Sequence, residues 1–434
     1  MPKFKQKRVA VIGGGACGLT AAYYLSQANI KVDIYESSDT IGGLGSSYLV
    51  NGVSTEKFVH HLFSGDKFFI ELAKELGIEN SLHFKKSKDS IYINNKIYPF
   101  SNAFDLLKFD QISLISRLRT GLMVLFLKNT KDYKKFEKNT AKNRIINLSG
   151  KDSYLKLWQP LLVSKFGKFA EDISMTWFWA RVHSRTPKLG YFDNGYDEFF
   201  RKLNKFIVAR KGNIYLKHSV TNINSLRSGK LSVTSNKKNK IYDAVISTTP
   251  PSVFSRIVPE LKGTKYAKKL ELKTMISATS LNLVLKKSFM KYYWLNVNQE
   301  NFPFLVLIEH TNLVNAKKYK NKTVLYIGNY LHHTDKRFTN SAKKNLDLFI
   351  PYLKKINPKF NRSWIVSFEQ FNGLYAQPIV TVGYENTIPA QKTPIKNLYL
   401  CNMAQIYPFD RGTNYAIRDA KFVADLTIKS LSRK

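Results

Sequence analysis

The sequence predicts an α/β fold with two or three domains that can be interleaved along the chain. A strand, a glycine-rich turn, a helix and a second strand follow one another in residues 8–35, as in parallel sheets. Residues 101–185 have a helical pattern, whereas residues 280–286, 304–310 and 323–327 have the pattern of antiparallel strands. The chain has 434 residues, about three times an ordinary domain of ~150, and 44% of them are hydrophobic.

The first strand–turn–helix unit carries the glycine spacing of a dinucleotide-binding turn. Residues 8–12 form a β-branched strand, residues 18–27 a predicted helix, and GxGxxG lies between them. Gly13 permits the tight turn, Gly15 lets the backbone approach a pyrophosphate, and Gly18 lets the helix pack on the strand. The predicted cofactor contacts of this turn are Gly13, Gly15, Ala16, Cys17 and Gly18.

An acidic residue follows the second strand at the position that a ribose requires. Residues 31–35 are the predicted strand, and Glu36 comes next, 36 − 18 = 18 residues after Gly18. A carboxylate there can accept hydrogen bonds from ribose hydroxyls, and its charge disfavours a 2′-phosphate. We therefore predict that Glu36 binds the ribose of the cofactor.

A glycine doublet after the second strand bears on which dinucleotide the chain binds. Gly42 and Gly43 begin six residues after Glu36, and here the sequence resembles the superfamily of FAD-dependent amine oxidases and protoporphyrinogen oxidases. The resemblance implies FAD as the cofactor, with both glycines beside its flavin half. Leu44 stands where that superfamily often has a basic residue.

Two later blocks extend the resemblance. Residues 218–223 and 242–251 are similar to strands that return to the parallel sheet in that superfamily, which implies that Val220 contacts the adenine. Residues 397–403 are similar to its closing strand, and Met403 falls beside the ribityl chain, where the superfamily often has an acid. The next helix is implied to direct its free amides at the flavin ring. The implied contacts there are Gly412, Thr413, Asn414 and Tyr415.

The resemblance also implies a discontinuous domain organisation. A block at residues 177–196 is similar to the segment that reaches from the substrate domain back to the FAD domain. The expected Rossmann-like FAD-binding domain is assembled from residues 1–70, 205–255 and 385–434. The expected α+β substrate-binding domain, an antiparallel sheet with helices, comprises residues 71–204 and 256–384.

Candidate catalytic residues are fewer, because a flavin carries the redox chemistry itself. His60 and His61 follow the glycine doublet, and Glu309 precedes His310 at the end of a predicted strand. These histidines can act as acid or base if they titrate near neutrality, or they can form a hydrogen-bonded structural pair. Glu309 is a candidate for the same proton transfer.

Three arginines are candidate ligands for a substrate carboxylate or phosphate. They are Arg181, Arg185 and Arg411, and Arg411 is favoured because it directly precedes the helix that the resemblance places at the flavin. The alternative for Arg411 is an ion pair, with Asp410 or Glu369.

One helix offers a possible site of membrane contact. Ile115, Leu118, Leu122 and Leu125 recur at helical spacing, and four lysines follow within residues 128–135. Such a helix can lie in an anionic membrane interface or be buried against its neighbours, and the apolar run at residues 122–127 favours burial.

Composition limits the remaining partners. The formal charge is +38, but the lysines are spread through every segment, which favours a solvated basic surface over a nucleic-acid site. Cys17 and Cys401 are the only cysteines, which indicates a reducing compartment and no metal centre. Glycines interrupt the first apolar segment and no run reaches ~20 apolar residues. We therefore expect a cytoplasmic protein that can attach peripherally to the inner face of the membrane.

Three functions fit the sequence. The favoured one is an FAD-dependent oxidoreductase that takes a hydride from a small-molecule or lipid-linked substrate, with oxygen or a quinone as electron acceptor. The second is a flavoenzyme without net redox change that resembles UDP-galactopyranose mutase and acts on a nucleotide sugar. The third is a basic binding protein whose FAD is structural, which predicts binding that weakens steeply with salt.

Overall fold

A computed structural model describes residues 6–432, in which helices and strands alternate irregularly along the chain. The strands of this range are β1 (Arg8–Ile12), β2 (Lys31–Tyr35), β3 (Ser47–Val50), β4 (Val53–Glu56), β5 (Leu62–Phe63), β6 (Leu82–Lys86), β7 (Asp89–Ile93), β8 (Lys96–Pro99), β9 (Lys188–Phe192), β10 (Asn213–Tyr215), β11 (Val220–Ser225), β12 (Leu231–Ser235), β13 (Lys238–Tyr242), β14 (Ala244–Ser247), β15 (Met275–Leu285), β16 (Trp294–Val297), β17 (Val306–Glu309), β18 (Thr323–Leu331), β19 (Ile365–Pro378) and β20 (Leu398–Leu400).

The α-helices of the same range are α1 (Ala16–Gln27), α2 (Lys67–Glu75), α3 (Ala103–Leu107), α4 (Leu114–Asn129), α5 (Ala141–Ser149), α6 (Lys151–Ser153), α7 (Gln159–Phe166), α8 (Met175–Ser184), α9 (Tyr196–Ala209), α10 (Pro251–Ile257), α11 (Lys265–Glu271), α12 (Lys336–Thr339), α13 (Ala342–Ile356) and α14 (Thr413–Ser432). A π-helical turn, Tyr154–Trp158, joins α6 to α7. No helix in residues 6–432 is long and apolar enough to cross a membrane.

A five-stranded parallel sheet gathers strands from both ends and the middle of the chain. Its order is β10-β2-β1-β14-β20, and every neighbouring pair is parallel. Val9 and Val11 point to the side covered by α1, α9 and α14, whereas Ala10 and Ile12 point to the opposite core. That second core is closed by the small antiparallel sheet β11-β12-β13 and by α10 and α11. The predicted α/β class and its parallel sheet are confirmed.

A seven-stranded sheet forms the centre of the second part of the fold. Its order is β19-β15-β18-β17-β16-β7-β8, and only the β16–β7 pair is parallel. Leu283 and Leu325 pack on one side against α13. Val324 and Tyr326 face the other side and belong to the same core as the parallel sheet. One face of the large sheet therefore joins the two parts.

Helices α3–α8 form a third layer, which differs from the sequence prediction in one respect. Met123 and Leu127 of α4 are buried against α5 and α8, but the remaining apolar residues of that helix face outward. Leu122 is 66% exposed and Leu125 is 59% exposed. The expectation that the run at residues 122–127 is buried on all sides is wrong.

Candidate active site

The glycine turn after β1 is shaped by close backbone contacts. Gly13 has φ +108°, which side chains rarely adopt, and a Cβ on Gly18 would clash with the Gly13 carbonyl oxygen. These contacts press the N-terminus of α1 against the end of β1. Gly15 is the N-cap residue of α1, and no described side chain caps that end. The first amides of α1 and its positive dipole end are thus available to an anion.

The glycine doublet runs alongside this turn. The Gly42 amide donates to the Gly14 carbonyl oxygen at 2.8 Å, and Gly42 forms a parallel bridge with Gly15. A Cβ on Gly43 would lie only 3.3 Å from the Gly15 Cα atom. Two segments 27 positions apart (42 − 15) therefore pass each other as bare backbone, and we call the surface along this crossing the groove.

Glu36 closes one end of that groove. Its carboxylate accepts hydrogen bonds from the Gly14 amide at 2.7 Å and from the Ser38 amide at 2.8 Å. The His218 amide donates to the Glu36 carbonyl oxygen at 2.8 Å. This bond brings the start of β11, where Val220 is buried, next to the carboxylate. The carboxylate keeps lone pairs for two ribose hydroxyls.

The C-terminal segment lies at the other end. The Ala416 amide donates to the Gly412 carbonyl oxygen at 3.0 Å, so that Gly412 begins the first turn of α14. A Cβ atom at Gly412 would meet no described atom within 4 Å beyond its chain neighbours. Open space therefore lies beside the positive end of this helix.

The other predicted contacts in this segment have protein partners. The Asn414 side chain accepts a hydrogen bond from the Phe69 amide at 3.1 Å, in the first turn of α2. The Tyr415 ring stacks on Phe409 with centroids 4.6 Å apart. Met403 begins a short 3₁₀ turn capped by Asn402. Any cofactor contact of Asn414 would thus use its backbone or its Nδ2 group.

The residues fit a bound dinucleotide. An uncapped helix end can hold the pyrophosphate, Glu36 can hold the ribose, and the open side of Gly412 can accommodate a flavin ring. Thr413 is the first residue of α14, at the same positive end. No cluster of three or more metal ligands occurs among residues 6–432.

A group of cationic side chains lies immediately before α14. Arg181 Nη1 is 2.7 Å from Asp410 Oδ2, and Arg411 donates a hydrogen bond to the Tyr330 hydroxyl. The buried Lys165 Nζ lies 4.8 Å from the centre of the Tyr330 ring and 4.9 Å from that of Trp177. We call these residues the basic cluster: Lys165, Arg181, Asp410, Arg411 and Tyr330.

Charge in the basic cluster is poorly balanced. Burial, followed by the neighbouring charge of Arg181, lowers the pKa of the Lys165 ammonium well below its ordinary value. Burial alone would raise the pKa of the Asp410 carboxyl, but the positive charges of Lys165, Arg181 and Arg411 outweigh burial and hold that pKa below its ordinary value. An anionic group placed beside Lys165 and Arg411 would therefore be stabilised. The alternative of an ion pair between Arg411 and Asp410 or Glu369 is not formed, because Asp410 pairs with Arg181 and Arg411 donates to Tyr330.

The two predicted histidines lie near this cluster but do not titrate near neutrality. Burial lowers the pKa of His60 to about 4 and that of His61 to about 3, and nearby arginines add to the effect. His60 Nδ1 lies 2.7 Å from the Phe58 carbonyl oxygen, and His61 Nδ1 lies 3.0 Å from the Tyr293 hydroxyl. Because a carbonyl only accepts, His60 carries its proton on Nδ1 and its Nε2 is an acceptor.

Glu309 is not free for proton transfer. Its carboxylate accepts hydrogen bonds from the Ser288 hydroxyl and from the Phe289 and Met290 amides, at 2.7 to 2.9 Å. Burial raises its pKa to about 7, but these bonds dedicate it to the turn before β16. The neighbouring His310 is packed against Tyr191, with ring centroids 4.8 Å apart. We therefore assign Glu309 a structural role.

Sequence reasoning missed Lys165 and Tyr330. Lys165 is one of 69 lysines and arginines, and nothing in its neighbourhood distinguishes it from a surface residue. It enters the site only because α7 packs on β18, which carries Tyr330. The proximity of Asp410 to Arg411 was visible in the sequence, but the partner of each was not.

Comparisons with known proteins identify the family of the chain. Residues 16–428 match the family described as flavin containing amine oxidoreductase. A coproporphyrinogen III oxidase of Staphylococcus aureus is 26% identical over 321 residues, which cover 64% of this chain and 67% of that protein. The fold is similar to that of cyclohexylamine oxidase from Brevibacterium oxydans, with a TM-score of 0.73, 13% identity and 99% and 100% of the two chains covered.

A reduced UDP-galactopyranose mutase also shares the fold, with a TM-score of 0.76, 15% identity and 99% and 97% of the chains covered. Fold similarity at this identity does not separate oxidase from mutase chemistry. The family match does define the class: the protein is an FAD-dependent oxidoreductase. The chain belongs to the flavin-containing amine oxidoreductase family, and the prediction of FAD as its cofactor is confirmed.

Proposed function

We propose that the chain oxidises a carboxylate-bearing organic donor by hydride transfer to FAD, and that porphyrinogens are the first donors to test. The observation that carries this proposal is the basic cluster, in which one carboxylate stands among three cationic side chains before the start of α14. A carboxylate on the donor would supply the missing negative charge. The relative named coproporphyrinogen III oxidase supports this donor class, since its named substrate carries carboxylates on an apolar macrocycle.

Each residue of the basic cluster has a separate task in this proposal. Arg411 and Lys165 bind the donor carboxylate, because Arg411 directs its guanidinium to Tyr330 and Lys165 lies over the same ring. Asp410 holds Arg181 in place and is in turn held by the Trp177 indole at 2.9 Å. The partly exposed Tyr330 ring contacts the apolar part of the donor, and the buried Trp177 ring supports Lys165.

Proton removal is assigned to His60. Because Nδ1 donates to the Phe58 carbonyl oxygen, Nε2 keeps a lone pair that can accept the proton lost by the donor as the hydride departs, and a bound donor carboxylate would raise the low pKa of this histidine. Bound FAD supplies the hydride acceptor in this reaction. Oxygen or a quinone then serves as the final electron acceptor.

The visible flavin spectrum of the anaerobic holoenzyme tests the proposal. We expect coproporphyrinogen III to bleach the flavin and its tetramethyl ester to do so with a KM at least about tenfold higher, because the ester has no charge for the cationic side chains. Arg411→Gln should remove this preference, whereas Arg362→Gln, which changes an exposed arginine of a surface pair, should keep it.

Two outcomes would overturn the proposal. Equal KM values for the acid and the ester would remove the assigned role of the basic cluster. Rapid bleaching by NADPH together with no bleaching by any porphyrinogen or amine would favour the mutase-like alternative.

A further inference from the structure

Helix α4 buries Met123 and Leu127 but turns a second set of apolar side chains to solvent. Ile115 is 70% exposed and Leu118 is 52% exposed, and Leu122 and Leu125 continue the same stripe. The buried side includes Ser116 and Thr120. The Thr120 hydroxyl donates to the Ser116 carbonyl oxygen at 2.6 Å and lies 2.8 Å from the Ser153 hydroxyl. An ordinary surface helix has its apolar residues on the buried side, whereas α4 has an exposed apolar stripe in addition to its buried apolar residues.

Neighbouring residues widen the stripe into a patch. Leu114 and Phe126 of α4 are exposed, as are Phe104 and Leu107 of α3, the helix packed against α4. Single exposed leucines are common on proteins, but a contiguous apolar patch marks a surface that is covered in use. We call this surface the α4 face: Phe104, Leu107, Leu114, Ile115, Leu118, Leu122, Leu125 and Phe126.

Positive charge borders the α4 part of the α4 face, whereas the α3 part has Lys108 and the acids Asp105 and Asp110. Residues 113–135 contain six lysines and arginines and a single acid, Asp132, which gives 6 − 1 = +5. Lys131, Lys134 and Lys135 follow the apolar stripe directly and are exposed. An apolar surface bordered by lysines is complementary to an anionic bilayer, in which leucines enter the acyl boundary and lysines meet the lipid phosphates.

We propose that the α4 face binds the surface of an anionic lipid bilayer. A second copy of the chain is the less suitable occupant, because a symmetric dimer through this face would bring two groups of +5 together. This inference does not depend on the identity of the substrate, since it uses no residue of the basic cluster.

The α4 face is physically connected to the active site. Lys128 Nζ at the end of α4 donates to the Arg185 carbonyl oxygen at 2.7 Å. The Trp179 indole donates to the Thr130 carbonyl oxygen at 2.9 Å, and Trp179 lies on α8 beside Arg181. Helix α8 thus contacts the membrane-facing element on one side and carries part of the basic cluster on the other. A bilayer at this face would hold lipid-partitioned donors close to the site.

Vesicle flotation of the holoenzyme tests the proposal. We expect binding to vesicles of phosphatidylglycerol and phosphatidylcholine, weak binding to phosphatidylcholine alone, and loss of binding at high salt. The triple variant Leu118→Ser, Leu122→Ser, Leu125→Ser should lose at least about tenfold in vesicle affinity. The triple variant Lys131→Gln, Lys134→Gln, Lys135→Gln should weaken binding only to the anionic vesicles.

Matched control variants distinguish binding through the α4 face from nonspecific binding through other apolar or basic surfaces. Val208→Ser, Leu272→Ser and Leu374→Ser change three apolar residues elsewhere that are 50% to 62% exposed, and should leave binding unchanged. Lys343→Gln, Lys354→Gln and Lys359→Gln remove the same charge from another surface, and should also have little effect. The flavin spectrum of each variant confirms folding.

Three results would overturn the proposal. One is no flotation of the wild type with anionic vesicles. Another is equal flotation of the Leu→Ser variant and the wild type. The third is that the wild type sediments as a dimer, the Leu→Ser variant sediments as a monomer, and neither protein binds vesicles. That result would assign the face to a second copy of the chain.

Discussion

Arg181 and Asp410 form an ion pair with a distance of 2.7 Å between Nη1 and Oδ2. The pair joins α8 to the segment directly before α14, across 229 positions of sequence (410 − 181). The Trp177 indole and the Gln377 side-chain amide also donate hydrogen bonds to the Asp410 carboxylate, at 2.9 Å and 3.1 Å. The geometry at the start of α14 thus depends on one acid that holds together three parts of the chain.

Replacing that acid should destabilise the protein. Asp410→Asn keeps the shape but leaves Lys165, Arg181 and Arg411 without a counter-charge, and we expect a loss of about 3 kcal/mol in the free energy of unfolding at pH 7. The folded-state pKa of Asp410 lies below its unfolded value of about 3.9, so its stabilising effect is present above that pH and is lost as pH falls.

Urea unfolding at several pH values measures this effect. The difference between Asp410→Asn and the wild type should shrink as pH falls below about 4. Asp347→Asn is the control, because it breaks an exposed pair with Arg362 and should cost at most about 1 kcal/mol. A constant difference from pH 7 to pH 3 would contradict the assigned charge interaction.

Gly412 offers a test of the cofactor position that does not depend on folding. A Cβ atom at residue 412 would have no described protein atom within 4 Å beyond its chain neighbours, and the branched side chain of valine would extend from it into the space assigned to the flavin ring. We expect Gly412→Val to leave the Tm of the apoprotein unchanged and to lower FAD affinity at least about tenfold. Fluorescence titration of the apoprotein with FAD measures this affinity.

A control glycine distinguishes a local effect from a general one. Gly65 is exposed, and a Cβ there would have only one contact, with Thr186 at 4.0 Å. Gly65→Val should therefore bind FAD as the wild type does. Unchanged FAD affinity in Gly412→Val would move the flavin ring away from the start of α14.

Structure that depends on residues close together in the sequence could be predicted for this protein, whereas structure that depends on contacts between distant segments could not. Strands at residues 8–12 and 31–35 agree residue for residue with β1 and β2, because local β-branched runs bounded by glycine and an acid specify them. The dinucleotide turn was predictable for the same reason: its chemistry lies within a few residues.

The candidate catalytic residues depend on contacts across the whole chain. Lys165 meets Tyr330 only when α7 packs on the large sheet, and no periodicity in the sequence encodes that meeting. The sequence left two roles open for the histidines at positions 60 and 61, acid–base catalysis near neutrality or a structural role, and burial lowers the pKa of both. Likewise, helical spacing in α4 defined a stripe but not whether the stripe faces protein or solvent.

His310 should make the protein sensitive to mild acid. Both of its ring nitrogens are buried without a hydrogen-bond partner among the described residues, and burial lowers its pKa to about 3. Between pH 3 and about 6.5 the unfolded chain binds a proton that the folded chain does not, so stability falls as pH falls through this window.

Replacement by phenylalanine removes this titration and suits the tyrosines around the site. The stability of His310→Phe relative to the wild type should rise by about 2 kcal/mol between pH 7 and pH 5, measured by urea unfolding. His83→Phe is the control, since His83 is exposed beside Asp193 and should give no such gain. A parallel pH dependence of His310→Phe and the wild type would show that His310 finds a polar partner.

The two cysteines are far apart in sequence and adjacent in space. The Cys17 and Cys401 sulfur atoms are 3.1 Å apart, where the second residue of α1 meets the end of β20. A disulfide requires about 2.05 Å, so an approach of about 1 Å would join them. Cys17 lies in the phosphate turn, where bound FAD would cover it.

We expect the apoprotein and the holoenzyme to differ in oxidation by diamide. Thiol titration after denaturation should find both thiols lost in the apoprotein, because the thiol of Cys401 displaces the diamide adduct on Cys17 to form a disulfide. The holoenzyme should keep both thiols, and Cys401→Ala should retain its single thiol once excess diamide is reduced. If the diamide-treated apoprotein keeps both thiols, the two sulfur atoms cannot approach each other. The packing of α1 against β20 would then be too rigid to close the distance between them.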